Sequence, residues 1–355
     1  GPWTDPLGRA LITHDTPGVS GVVWLFDPAV LVDDDGKAYL YFGGGIPGGD
    51  NCTQEQVANP CTARVIQLGD DMISTVGEAV PIDAPYMFES SGIHKYNGKY
   101  YYSYCTNFGP RLQVEDAPPV GEIAYMISDN PMGPFKYVTT ILKNPHYFFG
   151  VGGNNHHAFF EFKDQWYIVY HAQTVAKATW GEGKGYRSPH LNRVEFDDSG
   201  FIREIEADMV GIRQLKNLDP YRRTEAETIA WQKGITTEEC AAPGGDVESV
   251  NLNVTHIHDG DWIAVANADF GAEGPAVFVA NVAAVVGGTI EIRLDSPTGE
   301  IIGTLEVTPT GGDQEWELMQ CDVKNVTGVH NIFFVFRGEG EPNLFNFDYW
   351  QFNKN

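Results

Sequence analysis

Residues 89–104 read ESSGIHKYNGKYYYSY, an apolar stretch, an Asn97-Gly98 dipeptide and then an alternating aromatic run. Asn-Gly favours positive φ at both central positions of a tight turn, and alternation of this kind is the period of a half-buried strand, so the segment is a β-hairpin. The same layout occurs twice more, as DPAVLVDDDGKAYLYF from Asp27 and as NHHAFFEFKDQWYIVY from Asn155, at spacings of 62 and 66 residues. Their turns fall at Asp35-Gly36 and Lys163-Asp164. Outside the hairpins a second echo links GPWTDPLGRALI at residues 1–12 with GPFKYVTTIL at 133–142, and a weaker fourth hairpin turns at Ser199-Gly200.

Repeated antiparallel units with almost no helical periodicity are the signature of β-propeller blades. A propeller closes on itself to hide its strand edges, and roughly three and a half units are visible against the about four to eight that closure takes. The expectation is therefore that residue 1 lies inside a blade and that an N-terminal segment is supplied from elsewhere, by a second polypeptide or by the other piece of a nicked enzyme. After NLDPYRR the pattern changes to short alternating strands with Gly-rich turns, among them GDWIAVANADFG, TIEIRLDS and FNFDYWQF. That predicts a β-sandwich jelly roll over 220–355 behind a propeller domain over 1–219, an all-β chain throughout.

Composition narrows the partners. A net charge of −25 repels phosphate backbones and anionic lipid, which argues against nucleic acid and membrane surfaces and leaves neutral ligands. No run of 18 apolar residues occurs. Cys52 and Cys61 bracket a short loop, and Cys240 and Cys321 both fall in the C-terminal part; two disulfides with Cys105 free would suit a secreted, extracellular protein. Sequons at Asn51, Asn253 and Asn325 agree with secretion.

Alignment of the hairpins on their turns puts Asp27, Glu89 and Asn155 at one position, nine residues before Gly36, Gly98 and Asp164. Equivalent positions at the start of innermost blade strands converge on the propeller axis, so two carboxyls and an amide are expected to face one pocket. Crowded carboxyls raise one another's pKa, which keeps a general acid protonated, and glycoside hydrolysis needs such a pair. Trp24 and Phe108 are candidates to stack on a sugar ring; Arg187, Asn155 and His156 are candidates to hydrogen-bond its hydroxyls.

The stretches WLFDPAVLVDDDG, FESSGIHKYNGKYYYSYCTNF, GVGGNNHHAFF and GKGYRSPH resemble glycoside hydrolase family 43, and within it the enzymes that debranch arabinoxylan. The resemblance implies a five-bladed propeller and inverting release of α-L-arabinofuranosyl side groups from arabinoxylan or its oligosaccharides. It carries the general acid to Glu89 and the Asp that orients and tunes that acid to Asp27. The family's general base, an Asp early in the first blade, has no counterpart here, and by this resemblance it is expected on the absent segment, without which the chain is expected to be inactive. β-Xylosidase or arabinanase activity is the alternative among related propellers, and a non-catalytic xylan-binding protein the alternative from another class. An ion near the axis is implied at His156 or His157, with His156 preferred.

The C-terminal part resembles carbohydrate-binding module family 6 in EAE, IRLDSPTGE, GVHNIFFVF and FNFDYW. By that resemblance Glu225, Glu227 and Asp348 hold a structural calcium. Asn346 and Trp262 are expected in its sugar cleft, where Asp313 replaces a usual aromatic.

Overall fold

The computed structural model describes residues 4–112, 114–242, 250–339 and 343–354. Of the first echo, Gly1–Trp3 lie outside them. The chain separates into two compact units, Gly1–Ile212 and Arg213–Asn355. Residues 213–219, expected in the first domain, side with the second unit, where Leu218 pairs in parallel with Ala268 and Asn267 Nδ2 donates to Gln214 Oε1 at 2.7 Å. Among the described residues no helix is long and apolar enough to cross a membrane.

The first unit is built of three antiparallel sheets. One runs in chain order through β1 (Ala29–Val32), β2 (Ala38–Phe42), β3 (Ala63–Leu68) and β4 (Thr75–Ile82). The next does the same through β5 (Met87–Tyr96), β6 (Lys99–Thr106), β7 (Ile123–Ser128) and β8 (Lys136–Leu142). The third holds β9 (His157–Phe162), β10 (Gln165–Ala172) and β11 (Ser188–Val194). Each predicted hairpin supplies the first two strands of one sheet, as expected of propeller blades; three such sheets stand among the described residues, against the five that the resemblance implies. The Ser199-Gly200 hairpin is reduced to a single bridge, Phe196 to Ile202.

Two-residue turns fall where they were expected at two of three places. Tyr96 pairs with Lys99 and Phe162 with Gln165, so both loops have two residues, and all four central φ values are positive: Asn97 47°, Gly98 73°, Lys163 51° and Asp164 60°. Asp35-Gly36 differs. Val32 pairs with Ala38, leaving a five-residue loop in which Gly36 alone takes positive φ, because Asp33 closes it by accepting from Gly36 N and donating to Lys37 O.

Sheet-on-sheet packing uses both faces of β6. Tyr102 and Tyr104, with Ala124 and Met126, pack against Tyr39, Tyr41 and Val65 of the first sheet. Tyr101, with Ile123 and Tyr125, packs against Ile168, Tyr170 and Val194 of the third. The hydroxyls escape burial without a partner: Tyr41 donates to Pro131 O, Tyr101 to Gly200 O and Tyr104 to Pro85 O, each at 2.7 Å. Beside this core, His94 is 4% exposed with neither ring nitrogen hydrogen-bonded, between Tyr101, Phe159 and Trp166 at centroid distances of 4.7–5.0 Å.

The second unit is a sandwich. Its six-stranded sheet orders Thr236–Glu239, Leu252–Thr255, Asn346–Asn353, Val277–Ala283 and Trp316–Asp322, with Thr224–Glu225 added on Asn346–Asn353. The facing sheet orders Trp231–Lys233, Trp262–Asp269, Val329–Arg337, Gly288–Leu294 and Ile301–Val307. Phe278, Phe334, Phe347, Trp350 and Phe352 fill the space between them.

The expected disulfides are not formed: all five cysteines are free. Cys240 follows one edge strand of the six-stranded sheet and Cys321 lies on the opposite edge strand. Four strand spacings of about 4.8 Å put them about 19 Å apart, against the about 7 Å limit for a bridge. Between Cys52 and Cys61 stands the helix Gln54–Ala58, with about 7.5 Å of rise. The sequon at Asn253 is likewise corrected, since that side chain is fully buried.

Burial pushes the His94 imidazole down to about 3, with a smaller contribution from the neighbouring His157. The unfolded chain therefore takes up a proton near pH 6.5 that the folded chain refuses until about pH 3. Stability is present in full above that window and falls as pH drops through it, by up to about 1.4 kcal/mol per pH unit for this proton. Urea unfolding at pH 7 and pH 5 should show His94→Phe losing less midpoint than the parent; equal losses would show that this ring is not the titrating group.

Candidate active site

The acid candidate is placed by an irregular strand. β5 carries register shifts on both sides of Glu89, between Met87 and Glu89 and between Glu89 and Gly92. Bulges of this kind re-aim a side chain out of the regular alternation. Ser90 sits at φ 65° and Asp27 at φ 48°, both in the left-handed region. The two are tied together, since Ser90 N donates to Asp27 Oδ2 at 3.0 Å. Glu89 itself is 3% exposed.

His156 completes the group. Its Nε2 lies 3.3 Å from Asp27 Oδ2 and 3.4 Å from Glu89 Oε2, without hydrogen-bond geometry to either. One donor atom from each of the three falls within 4.8 Å of the others. Asn154 Nδ2 donates to Glu89 Oε2 at 3.2 Å, while Glu89 Oε1 is buried with no partner. His156 N donates to His171 Nε2 at 3.3 Å, and His171 is pushed down to about 4 by burial, then by the charges of Arg187 and His156. His157 turns the other way. Its ring bridges Ser90 Oγ at 3.2 Å and Ser103 Oγ at 2.7 Å, and burial pushes it down to about 3, so it stays neutral and pins the residue after the acid.

Sequence reasoning and structure part at Asn155. That side chain is fully buried and donates to Gly121 O at 3.2 Å, so it lines no pocket; Asn154 and His156 stand at the acids instead. Trp24 and Phe108 are 42% and 44% exposed, as a sugar platform requires, and Phe88 joins them, edge-on to Trp24 at 5.3 Å and to Phe108 at 5.6 Å. Phe88, Asn154 and His171 were not singled out from sequence. Phe88 immediately precedes the acid on its strand, and that adjacency was the available signal.

In the second unit Asn346 is 1% exposed and its amide is already committed, donating to Glu238 Oε1 and to Asp313 O at 2.8 Å each and accepting from Asn343 Nδ2 at 2.8 Å. Trp262 does not share its sheet. It belongs to the other sheet, packed with Phe333, which stacks on Trp231. Of the calcium candidates, Glu225 holds Arg223 through both oxygens at 2.8 and 3.0 Å. Asp348 is fully buried and accepts from Asn251 and Asn281. Glu227 Oε2 is buried without a partner, and the Glu227 carboxyl is raised by burial and by the charges of Glu225 and Asp348.

Two carboxylates and a histidine gathered at the heads of the first strands of three propeller blades make a glycoside-hydrolase type of site. The chain belongs to glycosyl hydrolases family 43, whose model matches residues 1–202, and residues 225–354 match the carbohydrate binding module of family 6. It is 62% identical over 355 residues to an arabinoxylan arabinofuranohydrolase of Paenibacillus polymyxa, covering all of this chain and 55% of that protein. It is 61% identical over 354 residues to an arabinoxylan arabinofuranohydrolase of Bacillus subtilis (strain 168), covering 100% of this chain and 68% of that one. A crystal structure of the family 43 arabinoxylan arabinofuranohydrolase from Bacillus subtilis in complex with cellotetraose superposes with a TM-score of 0.92 at 61% identity, over 100% of this chain and 72% of the other. The chain thus spans about half the length of the first relative and about two thirds of the second.

Proposed function

We propose that this chain carries the acid side of an inverting glycoside hydrolase that releases α-L-arabinofuranosyl groups from arabinoxylan. The observation that carries the reading is Glu89: buried, aimed by two bulges, steadied on one oxygen by Asn154 and unpartnered on the other. The arabinoxylan specificity is supported by the names of the two relatives. In this reading Glu89 protonates the leaving oxygen, Trp24, Phe88 and Phe108 face the sugar, and Arg187 and His156 reach its hydroxyls.

Asp27 is a positioning residue. Inverting chemistry needs its acid and base about 6.5 to 9.5 Å apart to admit a water, and the Asp27 and Glu89 oxygens approach within 4.8 Å. Asp27 instead holds the Ser90 amide and so fixes the backbone next to the acid. The base is a separate carboxylate, because Asp27 stands too close to Glu89 to admit the attacking water.

Replacing Glu89 by Gln should lower arabinose release from arabinoxylan by about 10²–10⁴-fold. It should slow an aryl arabinofuranoside with a good leaving group far less, because that substrate needs little proton donation. Equal loss on both substrates would remove Glu89 from the acid role.

A structural calcium fits the second unit. Glu227 Oε2 is an orphaned buried oxygen among like charges, the situation that a hard cation relieves, and Glu225 and Asp348 would share it. The Asp27, Glu89 and His156 set does not suit a resident ion, because a cation on Glu89 would keep it ionised and deny the leaving group its proton. Calcium should raise the thermal midpoint of the protein, and Glu227→Gln should abolish that increment; a midpoint indifferent to calcium and chelator would overturn the assignment.

A further inference from the structure

Gln173 occupies the N-cap position of the helix Thr174–Trp180, yet its side chain makes no capping bond. Short polar side chains usually stand there because they close the first turn. The Gln173 amide reaches two loops instead. Nε2 donates to Gly152 O at 2.5 Å, and Oε1 accepts from Gly185 N at 2.7 Å. The loops are shaped to receive it: a Cβ on Gly183 would stand 2.5 Å from Gln173 Oε1, and Gly153, at φ 133°, lies against Nε2. From the other side Asn144 Nδ2 donates to Gly153 O at 2.9 Å, and a Cβ on Gly152 would strike Asn144 Oδ1 at 2.3 Å.

Both loops lead into the site. The first continues to Asn154, on Glu89, and to His156. The second ends at Arg187, and because the β10–β11 ladder stops at Ala172 opposite Ser188, Gln173 falls opposite Arg187. Two residues earlier on the same strand, His171 accepts from His156 N.

We propose that Gln173 is a positioning residue that locks the acid-side loop, 150–156, to the Arg187 loop, 181–187, so that proton donor and sugar ligand keep one spacing; this rests on the arabinofuranosidase reading of the site. An amide suits the task because it alone donates and accepts at one carbon's reach. The two halves separate by substitution. Gln173→Glu keeps the acceptor for Gly185 N and loses the donor to Gly152 O; Gln173→Lys does the reverse.

Backbone hydrogen exchange on the complete protein reads the lock directly. Gln173→Glu should quicken exchange in 150–156 and spare 181–187, and Gln173→Lys should quicken 181–187 and spare 150–156. In turnover, Gln173→Glu should lower kcat by about tenfold or more with KM nearly unchanged, and Gln173→Lys should chiefly raise KM. Exchange that is unaltered, or that quickens equally in both loops in both variants, would overturn the proposal whatever the activity shows. A parent protein that releases no arabinose, with the exchange pattern intact, would sink the reading of the site and leave the lock standing.

Discussion

The tyrosines of β6 are gripped from both sides, and the rest of the first unit is arranged around that grip. Tyr102 and Tyr104 belong to the contact with the first sheet and Tyr101 to the contact with the third. Burial of each such ring is worth about 1.5–3 kcal/mol, so one strand stabilises two sheet interfaces at once. Because β5 is hydrogen-bonded to β6 along its length, the same packing fixes where β5 begins, and with it Glu89. The hydroxyls reach backbone carbonyls at 2.7 Å, which spares the core the cost of unpaired oxygens.

At the site this rigid frame supports a local departure from regular geometry. Asp27 and Ser90 both hold left-handed backbone without being glycine, each at about 1–3 kcal/mol. Their mutual hydrogen bond, and the bridge from Ser90 through His157 to Ser103, give the strain something to act against. A neutral His157 matters here, since a protonated ring could not accept from either hydroxyl. Glu89 is therefore positioned mostly through its neighbour in sequence.

Most of the blade pattern was legible because it rests on period-two alternation and on turn dipeptides, and both are local. Glu89 and Asp27 were legible for the same reason, as the residues that open two repeated hairpins. Asn155 was misplaced because counting back from a turn assumes an unbroken strand. β5 absorbs extra residues in its two bulges while β9 starts only at His157, so equal counts reach unequal heights and Asn154 and His156 arrive at the acids. The cysteine pairs failed for a topological reason. Cys240 and Cys321 share a sheet, but the strand order places three strands between theirs, and sequence proximity to a common domain carries no information on that order. Gln173 was invisible because its partners are backbone atoms of two glycine-rich loops.

Asn346 gives the second unit a particular thermodynamic character. Its amide already satisfies Glu238, Asp313 and Asn343, so any incoming hydroxyl would have to trade places with a protein partner. Such an exchange is close to neutral in energy, since one hydrogen bond replaces another of similar strength. What it leaves behind is a displaced group that must find a new acceptor or donor, and only a hydroxyl pattern that repairs that loss is tolerated. Buried as it is, the Asn346 amide serves as a tie, and its loss would leave Glu238, Asp313 and Asn343 to find new partners at once.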